Sequence, residues 1–221
     1  MEALKPPMMP SASYHNFLDD LSRALVDPPG QNAQFEMAPE YRKDFDLASI
    51  EKNARLEAAV LAMFYPDRDN PDRPKLLLTL RPKGMTKHAG QVAFPGGGRE
   101  KEEAFLETAL RETEEEVAIP RGDIRILGSL TSLYIPPSNY YVEPFVGAVS
   151  HFPRTATTSD EVAAVFGVSV EELKNPNIRT TTNREIRGRV ESVPCFQINN
   201  ELVWGATAMI LAELVAVLDR F

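Results

Sequence analysis

Cysteine is nearly absent: one thiol, Cys195, in 221 residues. That excludes an intrachain disulfide framework and fits a reducing compartment, and the apolar neighbours of Cys195 point to packing rather than chemistry. Long apolar runs are missing as well. The longest apolar-rich stretch, Ala206 to Leu218, is interrupted by Glu213 and falls short of the roughly 20 residues that a membrane span needs. Met1 to Pro10 holds Lys5 and three prolines but no apolar core, so it does not read as a signal peptide, and a cytoplasmic location is expected. Positive charge is in deficit. The net charge of −8 disfavours a general nucleic-acid binder, and a polyanionic substrate then requires local cations or metal. Internal repeats and low-complexity tracts are lacking too. What remains, 43% hydrophobic and 25% charged residues, is the composition of a soluble globular protein, long enough for one domain with an appendage.

The most informative stretch runs from Phe94 to Ile119, FPGGGREKEEAFLETALRETEEEVAI. Pro95-Gly96-Gly97-Gly98 reads as a turn whose glycines permit positive φ and a close approach of backbone to a ligand. A helix is expected next, with Glu100, Glu102 and Glu103 near its positive end and Val117-Ala118-Ile119-Pro120 marking its limit. In its second half, Glu112, Glu115 and Glu116 share one face, while Leu106, Leu110 and Val117 cluster on a neighbouring one. Like charges at this spacing cost about 0.2–0.5 kcal/mol per pair, and acids near a helix C-terminus oppose its dipole. Arg111 and a hard divalent cation such as Mg²⁺ are the groups that would offset them. A solvated acidic face is the plainer alternative.

Taken with its spacing, the segment is Gly97, five residues, Glu103, seven residues, Arg111-Glu112, two residues, Glu115-Glu116, one residue, Ala118, Ile119. This resembles the Nudix box, the signature of hydrolases that cleave a diphosphate linked to another group. It matches at every charged position and departs at Ala118, where the box usually has Gly. Upstream, Leu77-Leu78-Thr79-Leu80-Arg81 and Lys87-His88-Ala89-Gly90-Gln91-Val92-Ala93-Phe94-Pro95-Gly96-Gly97 resemble the extra signature of the coenzyme A pyrophosphatase branch, LLTxR followed by HxGxxxFPGG. The resemblance extends from about Leu56 to Leu218 and includes Asp160-Glu161-Val162 and Val203-Trp204-Gly205-Ala206-Thr207-Ala208. Pro82 and Thr86 depart from it. The branch tends to have Ser at the first of these positions and often has Arg at the second.

The resemblance implies an α/β fold, a Nudix-type α/β/α sandwich with a mixed sheet. Residues 1–46 read as an N-terminal extension with a short helix and residues 47–221 as the Nudix domain. In the extension, Phe17, Leu18, Leu21 and Leu25 recur at helical spacing after Ser13 and end at Asp27-Pro28-Pro29-Gly30, either as a dimer-forming arm or as a surface helix. Asp46 to Leu56 reads as a helical turn or an incoming strand. Glu57 to Tyr65 and Lys75 to Arg81 read as a strand hairpin, and Gln91 to Phe94 as a short strand. Ile124 to Leu130 and Tyr141 to Val149 are further strands. Asp160-Glu161-Val162 precedes an apolar stretch ending at Val168, and Val170 to Leu173 reads as a helical turn. Strand pairs broken at Pro194 are expected over Arg187 to Ile198. A final helix is expected over Ala206 to Leu218, with Ile210, Leu211, Leu214 and Leu218 on one side.

The resemblance assigns roles residue by residue. Glu112, Glu115 and Glu116 are the expected ligands of Mg²⁺ or Mn²⁺, with Glu115 also a candidate to accept the proton of the attacking water. Arg111 is expected to orient these carboxylates through Glu103, and Glu161 to supply an extra acid from a loop, its alternative being a helix cap. Arg81 suits bidentate phosphate contact, or else a surface ion pair. Lys87 and Lys83 add charge, and His88 is either a substrate contact or a structural hydrogen-bonder. Arg81, Lys87, His88, Gly90, Phe94, Gly96 and Gly97 form the expected substrate-binding set. The implied substrate is a small-molecule nucleoside diphosphate derivative, coenzyme A or its acyl or oxidised forms, with ADP-ribose or a dinucleoside polyphosphate as alternatives. A catalytically silent nucleotide-binding regulator is a third reading. No nucleic-acid or membrane partner is expected, and a homodimer is open.

Overall fold

The computed structural model describes residues 11–42, 56–84, 89–153, 155, 160–186 and 188–221. Its centre is strand β1, Leu56–Pro66. Successive residues of a strand point to opposite faces. Ala58, Ala62 and Phe64 accordingly join one apolar core, and Ala59, Leu61, Met63 and Tyr65 join another on the opposite face. Burial on both faces explains why this stretch is an unbroken apolar run rather than an alternating one.

Each edge of β1 is used. Strand β2, Pro74–Leu80, pairs antiparallel with its end through Phe64 and Leu76. The short strand β3, Val92–Ala93, joins β2, and β4, Gly96–Gly98, lies antiparallel to the beginning of β1. On the far edge β7, Tyr140–Ala148, runs parallel to β1 over its length. Strands β5, Arg125–Ser129, and β6, Leu133–Ile135, both pair with β7, and β8, Ala164–Ser169, closes the edge of β2. The result is an eight-stranded mixed sheet of order β3-β2-β1-β7-β5.

Helix α3, Phe105–Val117, covers one face. Helices α1, Ala12–Ala24, and α5, Gly205–Leu218, cover the other, and the short α2, Gln31–Phe35, packs on α5. This is the expected α/β/α sandwich. A one-turn helix α4, Val170–Leu173, follows β8 as the sequence suggests. A separate three-stranded sheet is built from β9, Arg179–Ile186, β10, Arg189–Ile198, and β11, Glu201–Trp204.

Several expectations need correction. Strand β10 is not broken at Pro194, which is paired with Thr181 of β9. Strand β11 pairs only with Cys195 to Ile198, so Pro194 sits where one side of β10 is open and a missing N–H is tolerated. Helix α5 is not one-sided: every residue from Ala208 to Val215 is buried, together with Val217 and Leu218. The buried Glu213 sits in that run because its carboxylate accepts hydrogen bonds from Gly30 N (2.9 Å), Gln34 Nε2 (2.8 Å), Thr131 N (3.0 Å) and Thr131 Oγ1 (2.6 Å). A buried charge is tolerated only when its lone pairs are satisfied in this way.

Helix α1 begins one residue after Ser11, whose hydroxyl accepts from Tyr14 N at 3.0 Å, an ordinary N-cap. Tyr14, Leu18, Leu21 and Leu25 are buried, and Tyr14 Oη donates to Val149 O at 3.0 Å. Burying each such side chain contributes about 1.5–3 kcal/mol. The apolar side of α1 is therefore used within its own chain. Residues 46–55, read as a helical turn or incoming strand, lie outside the described residues.

Candidate active site

The glycine run, expected as a turn, is the strand β4. Gly97 lies opposite Ala59 and Gly96 opposite Val60. Gly96 has φ of 151°, and a Cβ there would collide with Ala59 O and Val60 Cα. At Gly97 a Cβ would lie 2.5 Å from Glu112 Cδ. The missing side chain at Gly97 thus makes room for a carboxylate of the chain itself, and Gly96 acts through its backbone: its N–H donates to Glu116 Oε2 at 3.1 Å.

Helix α3 starts at Phe105, later than expected. Glu100, Glu102 and Glu103 precede it, Glu102 with φ of 68°, and Glu107 is the acid of its first turn. Its carboxylate reaches back to Ala104 N at 3.0 Å. Of the expected apolar cluster, Val117 is buried and Leu110 packs on the core. Thr108, Ala109, Thr113, Glu116 and Val117 face inward, whereas Leu106 is only half-buried. The threonine hydroxyls are satisfied locally, Thr113 by Ala109 O at 2.7 Å and Thr108 by Glu103 Oε2 at 2.8 Å. Small residues so satisfied let the helix lie close on β1 and β4. The helix ends at Ala118 in the left-handed region, φ 58°, where the Cβ of an L-residue is strained and glycine is favoured.

Arg111 organises the acids. Its Nε and Nη2 donate to Glu103 Oε1 at 2.9 Å and Oε2 at 3.1 Å, and Nη1 reaches Glu112 at 2.8 Å and Glu115 at 3.2 Å. Nη2 also reaches Gly98 O at 3.2 Å. Hydrogen bonds from Arg111 hold the Glu103 carboxyl down to about 2, and those same bonds make Arg111 a firmer cation. Burial acts in the opposite sense on the other acids. It pushes the Glu116 carboxyl up to about 7, against the pull of the Gly96 N–H and the Arg81 charge, and it also raises Glu112. Glu116 is 5% exposed, while the Glu115 side chain is 57% exposed.

Arg81, at the end of β2, faces the same place. Its Nη1 lies 3.5 Å from Glu161 Oε2, and the charges of Arg81 and Glu161 both act on Glu116. The Glu161 loop is tied to β2 by Ala163 N donating to Leu80 O at 2.8 Å. The structure therefore brings Arg81, Glu112, Glu116 and Glu161 together beside the Gly96-Gly97 backbone. Gly90, with φ of 64°, closes its loop through an N–H to Pro82 O at 3.3 Å. Phe94 departs from expectation. It is 3% exposed within the core, so its ring anchors the strand instead of facing a ligand. Lys87 and His88 lie outside the described residues.

The sequence reading missed Arg99. Its Nε and Nη2 each lie 2.7 Å from Glu57 Oε2, Nη1 donates to Glu103 O at 2.8 Å, and its guanidinium lies 4.8 Å from the centre of the Phe105 ring. The available signal was a cation directly after the glycine run.

Among the described residues no three acidic, histidine or cysteine side chains already form a metal cage, since Arg111 Nη1 holds both Glu112 and Glu115. The donor chemistry nevertheless suits Mg²⁺ or Mn²⁺: hard carboxylate oxygens on one helix face. Burial disfavours the charged forms of Glu112 and Glu116, and a cation between them would reverse that preference.

A sequence profile described as NUDIX domain matches residues 55–187. A protein from Pectobacterium atrosepticum, named uncharacterized Nudix hydrolase NudL, is 39% identical over 142 residues, covering 64% of this chain and 73% of that protein. Its namesake from Yersinia pestis is 38% identical over 142 residues, 64% and 71% of the two chains. Among solved structures, a MutT/nudix family protein from Enterococcus faecalis gives a TM-score of 0.54 at 16% identity, covering 85% of this chain and 73% of that one. The Nudix hydrolase RenU from M. smegmatis gives 0.50 at 15% identity, covering 76% and 89%. At such identities the two structures show a shared fold.

Proposed function

The chain belongs to the Nudix hydrolase family, and on that premise we propose that it cleaves the diphosphate linkage of coenzyme A or its acyl forms. The products are 3′,5′-ADP and 4′-phosphopantetheine or its acyl form. The observation that carries this reading is the meeting of Arg81, from the segment that resembles the coenzyme A branch, with box residues Glu112 and Glu116 and with Glu161.

Glu112, Glu115 and Glu116 would hold Mg²⁺ or Mn²⁺, which supplies charge neutralisation and Lewis acidity toward the phosphoryl oxygens. The chain's own groups do the rest. Arg111, locked on Glu103, orients Glu112 and Glu115. Glu115, the most exposed of these acids, accepts the proton of the attacking water. The Gly96 N–H fixes Glu116. Arg81 trades its ion pair with Glu161 for a substrate phosphate, and the released Glu161 acts as the additional acid from outside the box. The substrate is a small molecule, and the setting is cytoplasmic. Among the described residues no helix is long and apolar enough to cross a membrane.

The test is incubation of the purified protein with coenzyme A and Mg²⁺ or Mn²⁺, with ADP-ribose alongside and the products separated by chromatography. The expected result is 3′,5′-ADP, with coenzyme A preferred. Turnover of ADP-ribose alone would leave a Nudix pyrophosphatase of another specificity, and no turnover with metal bound would leave a silent binder.

A further inference from the structure

The second sheet carries an arginine without a carboxylate partner among the described residues. Arg81, Arg99, Arg111, Arg121 and Arg179 each face a carboxylate. Arg184 does not: among the described residues it makes no ion pair, and its Nε–H is buried without any acceptor. Its cross-strand neighbour Glu191 is in register but forms no ion pair with it. Instead the guanidinium lies over the indole of Trp204, 5.1 Å from the ring centre. A buried guanidinium N–H without a partner is costly unless an acceptor arrives.

Strand alternation explains the pairing. Cys195 is paired with both Thr180 and Trp204, and Glu191 with Arg184, so Arg184 and Trp204 share one face of this sheet. Phe196, Ile198 and Val203 lie on the opposite face, in the core with α5. Trp204 ends β11, and β11 packs beside β3, the strand that leads through Phe94 and Pro95 into the Gly96 backbone. No acidic residue occurs in the first turn of α5, which follows Trp204. The platform thus combines a cation that makes no ion pair among the described residues with a large π-surface, on an element adjoining the strand that feeds the candidate active site.

We propose that Arg184 and Trp204 form a nucleotide subsite, in which the Arg184 guanidinium receives a phosphate monoester and the Trp204 indole supports the base. This rests on the proposed function and deepens it: the phosphate is the 3′-phosphate of the substrate, remote from the bond that is cleaved. Arginine forks suit phosphate oxygens, and bases stack on indole faces with little sequence preference.

Trp204 is the chain's single tryptophan, so its fluorescence reports on the subsite without labelling. The full chain is titrated with 3′,5′-ADP, with 5′-AMP and with inorganic phosphate, in parallel with Arg184→Gln, whose fold is verified by circular dichroism. The expected result is saturable quenching, with 3′,5′-ADP binding about tenfold or more tighter than 5′-AMP, the worth of a charge-assisted hydrogen bond. The substitution should remove that preference. Equal affinities in the wild type, or an unchanged preference in Arg184→Gln, overturns the proposal. In a second arm, kcat/KM is compared for coenzyme A and its 3′-dephospho form. If coenzyme A is cleaved and Arg184→Gln keeps the wild-type ratio, the subsite fails while the proposed function stands. If coenzyme A is not cleaved but the fluorescence still discriminates the 3′-phosphate, the proposed substrate fails and the subsite stands.

Discussion

Arg111 grips Glu103 with two parallel hydrogen bonds, at 2.9 and 3.1 Å. The pair joins the loop before α3 to the half of the helix that bears the other acids, so the loop and the carboxylate face move as one unit. Bidentate geometry of this kind adds direction as well as energy.

The pair should be visible in acid. The folded Glu103 carboxyl titrates at about 2, below the ordinary value of about 4.3. A depressed carboxyl contributes stability that is complete above its unfolded value and is lost as pH falls toward the folded one. Melting curves of the wild type and Glu103→Gln should differ at pH 7, and the gap should close between about pH 4 and pH 2. A constant gap would place the effect of Glu103 elsewhere.

Replacing Glu115 or Glu116 by Gln should keep the fold and lower turnover about 10²–10⁴-fold, the usual contribution of a positioned acid–base group. Near-wild-type activity in both variants would remove these residues from the mechanism.

Metal should stabilise the protein through the same face. At about 100 times its dissociation constant a ligand adds about 2.7 kcal/mol, which for a chain of this size is a rise of several degrees in Tm. Thermal scans with Mn²⁺ should show that rise in the wild type and not in a Glu112→Gln, Glu116→Gln double variant.

Gly97→Ala tests the seat of Glu112. A Cβ would lie 2.6 Å from each carboxylate oxygen of Glu112, so the acid must swing away. Misplacing a catalytic group by about 1 Å costs about 10²-fold in rate. Steady-state kinetics should show a loss of that order in kcat, with the chain still folded by circular dichroism.

Ala118→Gly should stabilise. The left-handed conformation at Ala118, φ 58°, costs an L-residue about 1–2 kcal/mol, against a glycine entropy penalty of about 0.5–1 kcal/mol. The expected gain is about 0.5–1 kcal/mol, or about 2 °C in Tm. A fall in Tm would mean that the alanine methyl makes a compensating contact.

The sequence spoke clearly where side-chain chemistry and spacing coincide. The acids of α3 and their arginine, the central strands and the final helix were legible because each carries a local pattern. Elements whose residues are defined by a distant partner were not. Strand β4 is pure glycine and reads as a turn, because what makes it a strand is β1, more than thirty residues upstream. Of the apolar cluster expected on α3, Val117 is buried and Leu110 packs on the core, but nothing in the sequence signalled that Thr108 and Thr113, with locally satisfied hydroxyls, also face inward. Phe94 sits in a run that resembles a binding signature, and only its burial shows it to be an anchor. Strand β9 and the Arg184–Trp204 pair had no periodic signal, since both depend on the register of a separate small sheet.

Glu213, on α5, is bonded to Gly30 and Gln34, which precede it by 183 and 179 residues and are therefore synthesised well before it. Emergence from the ribosome takes place from the N-terminus at about 5–20 residues per second. Until α5 has been made, Gly30 and Gln34 lack this carboxylate acceptor and the arm has no α5 to shelter its apolar side. Its docking has to wait for α5, and a chain truncated before Glu213 leaves the arm exposed to proteases.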